Sequence, residues 1–168
     1  MWELITNIIL ILSIITLAFF ACLGLYQWIT RKSFKRIDKQ IRWMILPVIL
    51  VVITYLIFDK LLPVIFPNTM PTRPNGSGEP SFPSTHVLVV TTIFFLATIV
   101  LPKYIKNRTA RIILEILMIV LISLNCIGRV YANLHTPVDV IGALIFAFVY
   151  SEIFYQIIKK RKAKSKDE

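Results

Sequence analysis

From Leu4 to Trp28 the chain carries no charged residue. A helix needs about 20 mostly apolar residues to cross the hydrocarbon core of a bilayer, and this run supplies them. Four further stretches approach or reach that length. Trp43 to Phe58 is short but becomes a span if it continues through Leu62. Thr85 to Leu101 follows a proline-rich loop, Ile112 to Ile127 holds one acid, Glu115, and Val140 to Ile158 holds Glu152. The runs are continuous rather than alternating, which argues for helices and against barrel strands. With 57% hydrophobic residues over 168 positions, the chain is too apolar for a soluble body of its size, much of whose surface must face water. A soluble domain, a disordered chain and a disulfide scaffold are excluded. The expectation is an all-α, polytopic membrane bundle of five transmembrane helices.

The bases orient that bundle. Arg31, Lys32, Lys35, Arg36, Lys39 and Arg42 lie between the first two runs. Lys103, Lys106, Arg108 and Arg111 lie between the third and fourth. Lys159, Lys160, Arg161, Lys162, Lys164 and Lys166 follow the fifth. Five crossings put all of these on one side, and the positive-inside rule makes that side cytoplasmic. The N-terminus is then outside and the C-terminus cytoplasmic. One integral-membrane domain over residues 1–158 and a basic, frayed cytoplasmic tail over residues 159–168 are expected.

The net charge of +10 therefore reports topology and contact with anionic lipid headgroups. No groove-reading or aromatic context accompanies the bases, so no nucleic-acid partner is expected. Met1-Trp2-Glu3 lacks the basic start of a signal peptide. Cys22 and Cys126 fall in opposite leaflets, too far apart to bond, and read as small apolar packers. Glu115, one turn after Arg111, and Glu152, near the inner end of its run, read as interface residues that pair or snorkel. Trp2, Trp28, Trp43 and Tyr104 sit at span ends, as interface aromatics do.

Only three of the 19 bases fall outside: Lys60, Arg73 and Arg129. The same outer segments hold both histidines, His86 and His135, with Asp59, Glu79 and Asp139. Cations can hold an anion there, and imidazoles can attack or move protons. The first outer loop, Pro71 to His86, is rich in Pro and Gly and takes a rigid, turning path. It ends at Pro83-Ser84, a helix start whose unpaired amides suit an anion. The second, Gly128 to Asp139, also opens a helix, with Thr136 as N-cap and Asp139 at the third position.

These residues resemble the type-2 phosphatidic acid phosphatase family of membrane lipid phosphatases. The family's third motif, Ser-Arg, five residues, His, three residues, Asp, is matched by Gly128-Arg129, His135 and Asp139. Its second, Pro-Ser-Gly-His, is matched by Pro83-Ser84-Thr85-His86, and its first retains Arg73-Pro74. Thr85 stands for Gly, Gly128 for Ser, and Phe66 where the family lysine would fall, leaving Lys60 as the only outer lysine. Family members commonly have six spans; the one missing here is the first.

The resemblance implies hydrolysis of a phosphomonoester or pyrophosphate through a phosphohistidine. His135 would attack phosphorus, and Asp139 would accept a hydrogen bond from its other nitrogen. His86 would protonate the leaving group and then activate water. Arg73 and Arg129 would hold the phosphoryl oxygens, with the amides of Ser84 and Thr85 and, in place of the family lysine, Lys60. No metal or other cofactor is expected, because two histidines and scattered acids make a poor metal cage. The partners are membrane lipids and an amphiphilic lipid phosphate: an isoprenoid pyrophosphate carrier such as undecaprenyl pyrophosphate, phosphatidylglycerol phosphate or phosphatidic acid. The expected location is the plasma membrane of a bacterium, multi-pass, with the site on the extracytoplasmic face. The alternatives are an inactive lipid-phosphate binder or translocator, and a phosphotransferase.

Overall fold

A computed structural model describes residues 1–33, 37–67 and 69–164, with side chains through residue 160. Its elements are α1 (Trp2–Arg31), α2 (Lys39–Trp43), α3 (Ile45–Tyr55), a π-helical turn (Leu56–Leu61), α4 (Leu62–Ile65), α5 (Thr85–Tyr104), α6 (Arg108–Tyr131) and α7 (Pro137–Lys164). Among the described residues five helical stretches are long and apolar enough to cross a membrane: Trp2–Arg31, Lys39–Ile65, Thr85–Tyr104, Arg108–Tyr131 and Pro137–Lys160. They coincide with the five apolar runs of the sequence.

The second stretch differs in detail from its expected form. It begins at Lys39 and is built of α2, α3, the π turn and α4. The π turn has a covalent cause. Pro63 has no N–H to give the carbonyl of Asp59, four residues earlier, and its ring would crowd that carbonyl. A widened turn over Leu56–Leu61 absorbs the conflict.

α5 lies at the centre and packs on α1, α6, α7 and α3. Around it α1 touches α6 and α3 touches α7, whereas α6 and α7 meet only sparsely. α5 is apolar on every side and therefore buried: Val87, Val90, Leu96, Ala97 and Val100 have no exposed surface. The outer helices turn Ile, Leu and Phe toward the surroundings, including Ile15, Phe19, Ile113, Ile116, Ile145 and Phe148. Lipid is as apolar as these side chains, so close packing rather than water exclusion must join the helices. Small residues provide it. A Cβ on Gly128 would lie 2.6 Å from Thr6 Cγ2, and one on Gly142 would lie 2.3 Å from the ring of Phe82.

The end that carries the α1–α2 and α5–α6 connections is tied by Asp38. It caps α2 by accepting from the Gln40 amide at 2.9 Å, and its own amide donates to Gln27 Oε1 of α1 at 2.8 Å. Tyr104 of α5 donates to it at 2.7 Å, and Lys103 forms an ion pair with it. Burial works to raise the Asp38 pKa, but the Lys103, Tyr104 and Gln40 hydrogen bonds outweigh it and hold the carboxyl below its ordinary value. Elsewhere Arg111 and Glu115 pair at 3.7 Å, and Cys22 and Cys126 are both free thiols. The basic tail expected from residue 159 begins as helix, because α7 runs on to Lys164. Lys35, Arg36 and Lys166 lie outside the described residues.

At the opposite end, Pro71 to Ser81 closes into a small hairpin. Thr72 and Pro80 form an antiparallel bridge, the Arg73 amide donates to the Glu79 carbonyl at 2.9 Å, and the Ser81 amide donates to the Pro71 carbonyl at 3.0 Å. Gly76 and Gly78 make the tip at φ of 77° and 73°, a region closed to most other residues. The turning path expected from the prolines and glycines is thus a paired structure that holds Arg73 and Ser81 in fixed register.

Candidate active site

Three segments meet above α5: the hairpin, the first turn of α5, and the turn from α6 to α7. The α6–α7 turn is built by its own backbone. α6 ends at Tyr131, the Ala132 amide donates to the Gly128 carbonyl at 2.9 Å, and Asn133 reverses the chain at φ 58°. The amides of Leu134 and His135 then donate back to the Arg129 carbonyl at 3.2 and 3.3 Å. This closure explains the spacing of the motif: the five intervening residues bring the His135 ring back over Arg129. Arg129 Nη2 lies 3.3 Å from His135 Nε2, and both residues are buried, at 3% and 4% exposure.

α7 starts with Thr136 as its cap. The Thr136 amide donates to Asp139 Oδ2 at 2.7 Å, and the Asp139 amide donates to Thr136 Oγ1 at 3.3 Å. This is a reciprocal capping box. Asp139 Oδ1 accepts from the Ser81 hydroxyl at 3.3 Å. The bond expected from His135 to Asp139 is not made here, since His135 Nδ1 lies 3.9 Å from Asp139 Oδ2. That nitrogen instead faces the Ser81 carbonyl oxygen at 2.9 Å. The carboxylate is held back by the cap and by the Ser81 hydroxyl.

Burial, reinforced by the positive charge of Arg129, pushes the His135 pKa down to about 4. Its imidazole is therefore neutral at ordinary pH. His86, in the first turn of α5, is partly buried and within electrostatic reach of Arg129, His135 and Arg73. Arg73 forms an ion pair with Glu79 at 2.6 Å, while its buried Nε has no partner. Arg129 Nε is likewise buried and unpartnered. Two guanidiniums with donors to spare thus lie within electrostatic reach of two imidazoles.

Four expected site residues thus gather: Arg73, His86, Arg129 and His135. Asp139 stands just behind His135. Ser84 is fully buried, but its amide, expected as a phosphate donor, is taken by the Asp139 carbonyl at 3.1 Å. The hydroxyl of Ser84 has no partner. Thr85 directs its hydroxyl to Asp59 Oδ2 of the π turn at 3.3 Å, joining α5 to the second membrane stretch. Lys60 is exposed, and its ammonium stands 5.5 Å from the centre of the Tyr55 ring. Lys60 is not brought against the arginines by any bond or ion pair seen here.

Two residues gain places that the sequence reading did not give them. Asp59 had been noted only as an outer acid. Ser81 carried no signal beyond lying between Arg73-Pro74 and Pro83-Ser84. Two departures from the family pattern also find physical accounts. A serine side chain at position 128 would drive into Thr6 and Trp2 of α1, and the hydroxyl at position 85 has a partner in Asp59.

The described helical bundle thus carries two arginines and two histidines at one end, side chains that can hold an anion and move protons. The sequence matches the family model of the PAP2 superfamily over residues 43–163, and the chain belongs to that superfamily. It is a multi-pass membrane protein whose family supports phosphatase activity on lipid phosphates. No match was found among curated proteins or among solved structures.

Proposed function

We propose that this protein hydrolyses an amphiphilic phosphomonoester or pyrophosphate through a phosphohistidine on His135. The observation that carries the reading is the His135 ring itself. It is buried and neutral, with Nε2 directed at the Arg129 guanidinium. A phosphoryl group held by Arg129 would present phosphorus to that nitrogen. Arg73 would bind it from the hairpin, releasing Glu79. The fork of each guanidinium matches two phosphoryl oxygens and supplies positive charge where negative charge builds up, so the proposed steps use no metal. The unpaired first-turn amides of α5, beginning at Thr85, add fixed donors.

Nε2 forms a bond to phosphorus as the bond to the leaving oxygen breaks, and His86, which takes up a proton beside the bound phosphate's negative charge, gives it to that oxygen. His86 then takes a proton from water, which attacks phosphorus and releases phosphate from His135. The residues lie at one end of a bundle whose flanks are apolar, so a substrate with a lipid anchor fits best. An isoprenoid pyrophosphate, phosphatidylglycerol phosphate and phosphatidic acid all meet that description. One domain over residues 1–158, oriented with the N-terminus outside, would open the site on the extracytoplasmic face of a bacterial plasma membrane.

An inactive binder or translocator would retain the arginines without a reactive imidazole. The physical accounts of Thr85 and Gly128 weigh against reading those departures as decay of the site. Phosphate release from a panel of these lipids in micelles tests the proposal. At least one lipid should be hydrolysed, and His135→Ala should abolish release. A folded protein that releases phosphate from none of them would contradict it.

A further inference from the structure

The nitrogen of His135 that attacks must carry a lone pair, so its partner nitrogen must carry the proton. In a serine triad an aspartate imposes that choice, and replacing it with asparagine yields the wrong tautomer. The arrangement here is different. The hydrogen-bond partner of His135 Nδ1 is the Ser81 carbonyl oxygen, at 2.9 Å, whereas Asp139 Oδ2 is 3.9 Å away. A carbonyl oxygen can only accept, and a guanidinium can only donate. The carbonyl therefore requires a proton on Nδ1, and Arg129 Nη2 at 3.3 Å requires a lone pair on Nε2. Both neighbours select the same tautomer, the one that leaves Nε2 reactive.

We propose that Ser81 is the positioning residue of the nucleophile: its backbone carbonyl fixes the His135 tautomer, and its hydroxyl anchors Asp139. The proposal rests on His135 being the attacking residue. Ser81 suits the task because two hydrogen bonds hold it and it is buried. Its amide donates to the Pro71 carbonyl at 3.0 Å, its hydroxyl donates to Asp139 Oδ1 at 3.3 Å, and its residual exposure is 1%. The hairpin that fixes it also carries Arg73, so one small unit sets both the phosphate holder and the nucleophile's proton. Asp139 then works at one remove, closing the cap of α7 and holding Ser81 in place. Asparagine could do much of this. Its carbonyl can accept from the Thr136 amide, and its amide can donate to Ser81 Oγ, which accepts as readily as it donates.

The chain has two histidines, so nitrogen-15 labelling of histidine gives two assignable rings. Asp139→Asn should keep the proton of His135 on Nδ1, and phosphoenzyme formation should fall by no more than about tenfold, the scale of one hydrogen bond. A proton moved to Nε2, with a loss near the ~10⁴-fold of a misset triad, would overturn the proposal. A second substitution guards against misfolding of that variant. Phenyllactic acid in place of Phe82 turns the Ser81 carbonyl into an ester carbonyl, a weaker acceptor, and leaves every side chain as it is. The proton on Nδ1 should then become partly shared with Nε2, and phosphoenzyme formation should slow by up to about tenfold. An unchanged tautomer and an unchanged rate in that protein would equally overturn it. The tautomer is read without turnover, so the absence of any phosphoenzyme in the unmodified protein would count against His135 as nucleophile and leave the role of Ser81 to the spectra.

Discussion

In the proposed reaction His135 and His86 have the same side chain but different tasks: the first attacks phosphorus and the second moves protons. His135 is enclosed between a guanidinium and a carbonyl. Burial and the Arg129 charge lower its pKa to about 4. Protonation would remove the lone pair, so the lowered value extends the reactive form downward from the ordinary ~6.5. In the absence of substrate, the His135 resonance should titrate near pH 4; a midpoint at or above 6.5 would contradict the account. The sign for stability follows from the same shift. Between about pH 6.5 and pH 4 the unfolded chain binds a proton that the folded chain refuses, so this group weakens the fold as pH drops through that window. In the proposed reaction His86 serves the leaving group. His86→Ala should lose ~10²–10⁴-fold on a lipid monophosphate, whose alkoxide needs a proton. On an activated aryl phosphate it should lose much less in forming the phosphoenzyme. Equal losses on the two substrates would make His86 a binding residue.

The elements place these side chains through close approaches that tolerate little. Gly128 lets α1 lie against α6, with Thr6 and Trp2 where a side chain would otherwise stand. Gly128→Ser should therefore cost about 1–3 kcal/mol, the usual penalty for overpacking, seen as a lowered Tm. Thr6→Ser, which deletes the obstructing methyl, should recover part of the loss. A Gly128→Ser protein as stable as the parent would contradict this packing. Such contacts also show what the chain discloses in advance. The five spans and the Arg129–His135–Asp139 spacing could be read because they depend on run length and on local turns. The second span was harder, since its π turn arises from Pro63 acting on a carbonyl four residues back. Ser81 could not be read at all, because its contribution is a backbone oxygen and every residue has one. The partner of the Ser84 amide could not be read for a related reason: the Asp139 carbonyl is 55 residues away in sequence and adjacent only after folding.

For the whole molecule, the site end and the basic end must face opposite sides of the membrane. The bases of the α1–α2 and α5–α6 connections and of the C-terminal segment should face the cytoplasm, and the hairpin should face out. In a background lacking Cys22 and Cys126, a cysteine at Asn75 should react with an impermeant reagent in intact cells. A cysteine at Lys106 should react only after lysis, and the reverse pattern would place the site inside. The helices surrounding α5 are apolar on their outer faces, which would keep the anchor of the proposed substrate in lipid while its phosphate reaches the polar end.

The account as a whole turns on one covalent bond, between His135 and phosphorus. Brief exposure to a labelled lipid phosphate followed by denaturation at alkaline pH, where phosphohistidine survives, should trap label on the protein. That label should be released by acid and should be missing from His135→Ala. Label of the same amount and acid lability on the His135→Ala protein would mean that another group attacks, and would contradict the central claim.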